Sequence, residues 1–146
     1  MRARVLLIVA SAILLGFAPA PLPRKERQRE DPTDVVGTWE FLVYNMSGRP
    51  YDFGKTESVI EMKREEFAFV SRRGNSRTPY AMVLDPRASP PSFTWSMSGR
   101  VMFVGSYRLE RDRITMIFRY GNSLEQRPTD FSGSAEYHYV LRRIKR

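Results

Sequence analysis

Ser92-Phe93-Thr94-Trp95-Ser96-Met97-Ser98 sets a small hydroxyl residue against a large apolar one at every step. Successive side chains of a β-strand point to opposite faces, so a period of two places Phe93, Trp95 and Met97 on one face and the hydroxyls on the other. A helical period would scatter the same three residues around its circumference. The stretch is bounded by a proline-rich turn at 85–90 and by Ser98-Gly99-Arg100, both of turn composition. It predicts a strand with one dry and one wet face.

Outward in both directions the same alternation returns, broken by turn residues every ten or so positions. Residues 101–109 hold Phe103, Gly105 and Tyr107 in phase, and Glu110-Arg111-Asp112-Arg113 turns the chain back into 114–120, which carries Phe118. A longer loop, 121–133, leads to 136–143, where Tyr137, Tyr139 and Leu141 share a face. Upstream, 78–84 aligns Tyr80, Met82 and Leu84, 66–71 aligns Phe67 and Phe69, and 57–63 aligns Ile60 and Met62. A polar loop at 72–77 separates two of these strands. In the first strand, 36–44, Trp39, Phe41 and Val43 are expected to look inward and Thr38, Glu40, Leu42 and Tyr44 outward, with Ser47-Gly48-Arg49-Pro50 ending it. Eight short strands with short links predict an all-β fold, an eight-stranded antiparallel up-and-down barrel. Pairing the first strand with the last removes both open edges. An antiparallel β-sandwich is the competing architecture.

Gly37-Thr38-Trp39, opening the first strand, resembles the G-x-W start of lipocalins and fatty-acid-binding proteins. Leu141-Arg142-Arg143 falls where lipocalins carry a C-terminal arginine packed over that tryptophan. Three further motifs follow in order: Leu84-Asp85-Pro86; Gly105-Ser106-Tyr107-Arg108-Leu109 with a charged turn and Ile114 behind it; and Arg127-Pro128-Thr129-Asp130-Phe131. Together they resemble an uncharacterised small domain family abundant in planctomycete bacteria, often exported and regarded as lipocalin-like. The resemblance spans about residues 34–143, is more specific in the later half, and departs from the family pattern over 51–66. It implies a lipocalin-like barrel with Trp39 and Arg143 closing one end. It brings no activity and no catalytic residue.

The barrel domain is expected over 34–146, behind two other segments. Residues 1–20 read as a signal peptide: a basic start at Arg2 and Arg4, an apolar run from Val5 to Phe17, and Ala18-Pro19-Ala20 in the form of a cleavage site. Export to the periplasm or beyond follows from that reading, the alternative being a membrane anchor left by an uncleaved signal. Residues 21–33, proline-bounded and mixed in charge, read as a flexible charged linker. The chain has no cysteine, which excludes disulfides, thiolate metal sites and lipidation through a lipobox. Burial alone must hold an exported domain of this kind.

The inward aromatic set defines the candidate site. Phe41, Phe69, Tyr80, Trp95, Phe103, Tyr107, Phe118 and Tyr139 are expected to line a ligand cavity or to fill the barrel, since eight strands enclose room for either. Arg72, Arg73 and Arg77, with Arg142, Arg143, Lys145 and Arg146, would form a cationic rim if folding brought them together. His138, the only histidine, is out of phase with the inward tyrosines and is expected to face solvent. No metal site, catalytic triad or acid–base pair can be built from these spacings, so no enzyme, metal or cofactor is expected. The net charge of +8 comes without a recognition helix or RNA-binding signature, so nucleic acid is not expected as a partner. Two functions remain: binding of a small apolar or anionic amphipathic ligand in the barrel of a monomer, or a filled barrel serving as a structural or protein-interaction module with an envelope protein partner.

Overall fold

The computed structural model describes residues 34–51, 58–73 and 76–145. The signal-peptide and linker readings at 1–33 lie outside the described residues, as do Glu57 and Arg146. Nine strands follow in chain order: β1 Gly37–Met46, β2 Arg49–Pro50, β3 Ser58–Lys63, β4 Glu66–Ser71, β5 Arg77–Asp85, β6 Ser92–Met97, β7 Arg100–Glu110, β8 Arg113–Tyr120 and β9 Tyr137–Arg143. From β3 to β9 each strand pairs antiparallel with its successor, and β1 pairs with both β3 and β9. The result is a closed eight-stranded barrel plus the short extra strand β2.

The eight-stranded barrel forms as expected, and β2 is an addition to it. Ser47 and Gly48 both take positive φ, 51° and 73°, which makes a tight hairpin and returns Arg49 and Pro50 beside Met46 and Asn45. Pro50 is tolerated because β2 is an edge, where a missing N–H forfeits no ladder bond.

Most inward positions follow the period of two. Ile60, Met62, Phe67, Met82, Phe93, Trp95, Tyr107, Ile114, Met116, Phe118, Tyr139 and Leu141 are buried in one cluster with Trp39. The first strand is the exception. Trp39, Glu40 and Phe41 pair with Arg143, Arg142 and Leu141, but Val43 pairs with Val140, so Leu42 is an extra residue on β1. Such a bulge exchanges the faces beyond it. Val43, expected inside, is 39% exposed, and Tyr44, expected outside, packs against the core. A second bulge, between Trp95 and Ser96, leaves Met102 unpaired on β7, and Met97 at the end of β6 is exposed.

The 121–136 segment straps the outer wall of β7 and β8. It contains a 3-10 turn, Leu124–Gln126, capped by Ser123. Beneath it, Val104, Ser106 and Ile117 face out of the barrel yet are fully buried. The Ser106 hydroxyl donates to the Pro128 carbonyl at 2.7 Å, and the Arg108 guanidinium lies 4.1 Å from the centre of the Phe131 ring. His138 corrects the solvent expectation. It faces out of the barrel but is half-buried near Gly133, and desolvation lowers its pKa. Ser106→Ala is expected to destabilise by about 1 kcal/mol, and to speed amide exchange in the strap before the barrel strands. Urea denaturation with hydrogen exchange checks this, and a uniform loss of protection across the barrel would contradict it.

Candidate functional site

The alternating strands place the A-end of every inward row, near Trp39, and the opposite B-end under different chemistry. At the A-end, Trp39 is fully buried and its indole N–H donates to the Val35 carbonyl at 3.0 Å. The Arg143 guanidinium sits 4.7 Å from the Trp39 ring centre and bonds the Asp34 carbonyl. Cation and ring face are attracted electrostatically, and the arginine stem covers apolar surface, so this group closes the A-end. Around it the inward residues are mainly aliphatic: Met62, Met82, Ile114, Met116 and Leu141.

Toward the B-end the lining becomes aromatic. Trp95 forms the middle, stacked on Phe67 at 3.9 Å and tilted against Phe93 at 4.8 Å and Phe118 at 4.7 Å. Above it, Tyr80 and Phe103 lie 6.3 and 6.0 Å from the same ring. Phe41 and Phe69 lie nearly parallel, 13° apart in plane with centres 6.4 Å apart. Tyr44 stacks on Tyr139, and Tyr137 on Phe118. Phe41, Tyr44, Phe69, Tyr80, Phe103 and Tyr137 are only partly buried, while Tyr51 and Tyr120 are about half exposed. The B-end is an aromatic cup with phenols around it.

The phenols are paired with one another. Tyr139 is hydrogen-bonded to Tyr44, and Tyr137 to Tyr120. Desolvation first, and these bonds after it, push Tyr137 up to about 12 and Tyr139 well above the ordinary phenol range; burial also raises Tyr80. A folded-state pKa above the unfolded value of about 10 contributes stability that is complete below pH ~10 and lost as pH rises through the folded value. Stability is therefore expected to fall between pH ~10 and about 12, with part of the phenolate absorbance appearing only there. Tyr137→Phe is expected to remove that late fraction in an alkaline absorbance titration. An unchanged titration curve would refute the assignment.

The indole N–H of Trp95 stands apart. The residue is 1% exposed and its Nε1 has no hydrogen-bond partner. A buried donor left unsatisfied costs about 1–3 kcal/mol, so it is conspicuous in an otherwise apolar layer.

The expected cavity residues thus divide. Phe41, Phe69, Tyr80 and Phe103 come together in the cup wall, Trp95, Phe118 and Tyr139 form its floor, and Tyr107 lies deeper, opposite Met116 and toward the A-end. Sequence reasoning left Tyr44, Tyr120 and Tyr137 out of the site. Tyr137 and Tyr120 were legible from the inward phase of Phe118 and Tyr139, whereas Tyr44 depends on the bulge at Leu42. Of the arginines expected at a cationic rim, Arg72 and Arg142 meet at Glu40, and Arg77 bonds Glu66 and reaches Glu61 at 3.6 Å, all on the outer wall. These pairs are exposed and of little energetic weight.

A groove of about 1070 Å³ lies at the A-end rim, lined by Asp34, Arg64, Glu65 and Arg111 and by the inward-facing Met82, Leu84 and Leu109. Its charges are mixed. Among the described residues no three of His, Cys, Asp and Glu gather to hold a metal, and no helix is long and apolar enough to cross a membrane. Models of known families, curated proteins and solved structures were compared with the chain, and none matches.

Proposed function

We propose that this barrel is a non-enzymatic binding module that takes a small apolar or amphipathic molecule at its B-end. The observation that carries the reading is the contrast between the two ends. Trp39, Val35 and Arg143 seal one, whereas the other presents partly buried rings that reach solvent. Concave aromatic surfaces with a few polar tips are what small-molecule sites are made of. The reading of residues 1–20 as a signal peptide would place this activity outside the cytoplasm, and the likeness of Gly37-Thr38-Trp39 to the lipocalin start is in keeping with a binding role.

A second reading, a filled barrel that docks an envelope protein, draws on Val83, Leu42 and Val43, which are 67%, 41% and 39% exposed on the outer wall. Titration with 8-anilinonaphthalene-1-sulfonate separates the two. Saturable binding to one site is expected, with a raised melting temperature, as any ligand selective for the native state produces. Tyr80→Lys at the cup should weaken it at least tenfold and Val83→Lys on the wall should leave it unchanged. The reverse pattern would support the docking reading, and absence of saturable binding to the wild type would overturn the proposal.

A further inference from the structure

We propose that the groove at the A-end rim is a second binding site, for a small N-acylated amino acid with an apolar side chain and a free carboxylate. It lies beside the seal formed by Trp39 and Arg143 and is independent of the cup at the B-end. The first observation is an open strand edge. In an antiparallel sheet the backbone N–H and C=O of successive residues point alternately to one neighbouring strand and to the other. The Met82 N–H donates to the Glu65 carbonyl at 2.8 Å, so Met82 and every second residue of β5 turn these groups toward β4. β4 begins at Glu66, behind the turn at Arg64 and Glu65, and its pairing with β5 ends at Ala81. Two residues past Met82, Leu84 therefore points its N–H and C=O beyond the end of β4, with no backbone partner on that side among the described residues. Glu65, Met82 and Leu84 all line the groove of about 1070 Å³, so the open edge faces it. An unpaired edge is a template for another extended chain.

That edge is open for a single residue, which sets the size of the occupant. An antiparallel partner of Leu84 donates its own N–H to the Leu84 carbonyl and accepts the Leu84 N–H on its carbonyl or carboxylate oxygen. Directly paired residues carry their side chains on the same face. Leu84 packs against the core, so the side chain of the bound residue enters beside Met82 and Leu109 and must be apolar. Charge selects the other end of the ligand. The groove holds the guanidiniums of Arg64 and Arg111 and the carboxylates of Asp34 and Glu65. Asp34 is paired with Arg143 at 3.5 Å, so the lining carries two guanidiniums against the one remaining carboxylate, Glu65. A guanidinium and a carboxylate make the stronger, charge-assisted kind of hydrogen bond. Val36 and Val83, both exposed, give the acyl group an apolar wall.

N-acetyl-L-leucine carries all three features. N-acetyl-L-leucinamide lacks the carboxylate, N-acetyl-N-methyl-L-leucine lacks the N–H, and N-acetylglycine lacks the side chain. Titrated into ¹⁵N-labelled full-length protein, N-acetyl-L-leucine is expected to bind with a Kd of about 1 mM or tighter. Each relative should bind at least about fivefold more weakly, the worth of one hydrogen bond or small apolar contact. The Leu84 amide proton should move downfield as it gains a partner, while the Trp95 indole proton stays. Arg64→Gln should bring N-acetyl-L-leucine down to the affinity of the leucinamide. N-acetyl-alanyl-alanyl-leucine should bind within about twofold of N-acetyl-L-leucine, because the edge offers nothing to a second residue. No saturable shift, or an unmoved Leu84 amide, overturns the site. Undiminished binding of the N-methyl relative removes the edge pairing, and undiminished binding of the leucinamide removes the carboxylate recognition. A tenfold gain for the tripeptide would make the occupant a peptide chain and overturn the small ligand. Tyr80→Lys at the cup should leave N-acetyl-L-leucine binding unchanged, so failure at the groove and failure at the B-end are read separately.

Discussion

Trp39→Ala is expected to destabilise the barrel by about 3–5 kcal/mol, a large part of the 5–15 kcal/mol that holds a domain of this size. The indole is fully buried, so its removal leaves a large cavity at the sealed end. Two further contributions are lost with it. The Val35 carbonyl forfeits the 3.0 Å bond from the indole N–H, and the Arg143 guanidinium loses the ring 4.7 Å beneath it. Arg143 is held there by β9 pairing and by Asp34, so it cannot move into water without breaking those contacts. Trp39→Phe retains most of the volume and a π face, and is expected to lose about 1–2 kcal/mol, chiefly through the unsatisfied carbonyl. Urea unfolding of both variants checks the pair. A change below about 1 kcal/mol for Trp39→Ala would show that the A-end contributes little to stability and would undermine the contrast between the two ends.

Gly105→Ala should be as damaging, although it adds a single methyl group. A Cβ on Gly105 would lie 2.5 Å from the Ile117 carbonyl oxygen and 2.6 Å from both Phe118 Cβ and Phe93 Cζ. Gly105 is paired with Phe93 on one side and Phe118 on the other, so the bare backbone is the space through which two buried rings pass the centre of β7. Two of the three obstructing atoms belong to the neighbouring strand close to its backbone and cannot rotate aside. Overpacking of this kind costs about 3 kcal/mol or more where the surroundings cannot yield, against the ~0.4–1 kcal/mol that alanine gains by restricting the unfolded chain. Adding Phe93→Leu should recover only a minority of the loss, because it relieves the Cζ contact and leaves the Ile117 carbonyl in place. Thermal unfolding of the single and double variants tests this. Near-neutral behaviour of Gly105→Ala would mean that β7 and β8 are farther apart here than described.

These two positions differ in how they announce themselves. Trp39 was legible as an end-closing residue from Gly37-Thr38-Trp39 and its match with Arg143 at the far end of the chain. Gly105 was visible as a residue in phase with Phe103 and Tyr107 and as the start of the Gly105-Ser106-Tyr107-Arg108-Leu109 motif. That its missing side chain is required depends on Phe93 and Phe118 arriving from two other strands. The cup shows the same division. Phe69, Tyr80 and Phe103 followed from alternation, whereas Tyr44 reached the interior through one extra residue, Leu42, and Arg72, Arg142 and Arg77 found carboxylates at Glu40, Glu61 and Glu66 on the outer wall.

By itself, the order of residues determined the all-β class, the antiparallel succession of strands and the inward face of each uninterrupted strand. Alternation is a local property: every second side chain of an extended backbone points the same way whatever lies beside it. Tertiary structure alone decided where that alternation slips, what the 121–136 strap covers, which arginines find carboxylates, and that Trp95 keeps an indole N–H buried without a partner. Each of these is a relation between residues distant along the chain, and it comes into being only when cross-strand hydrogen bonds set the register.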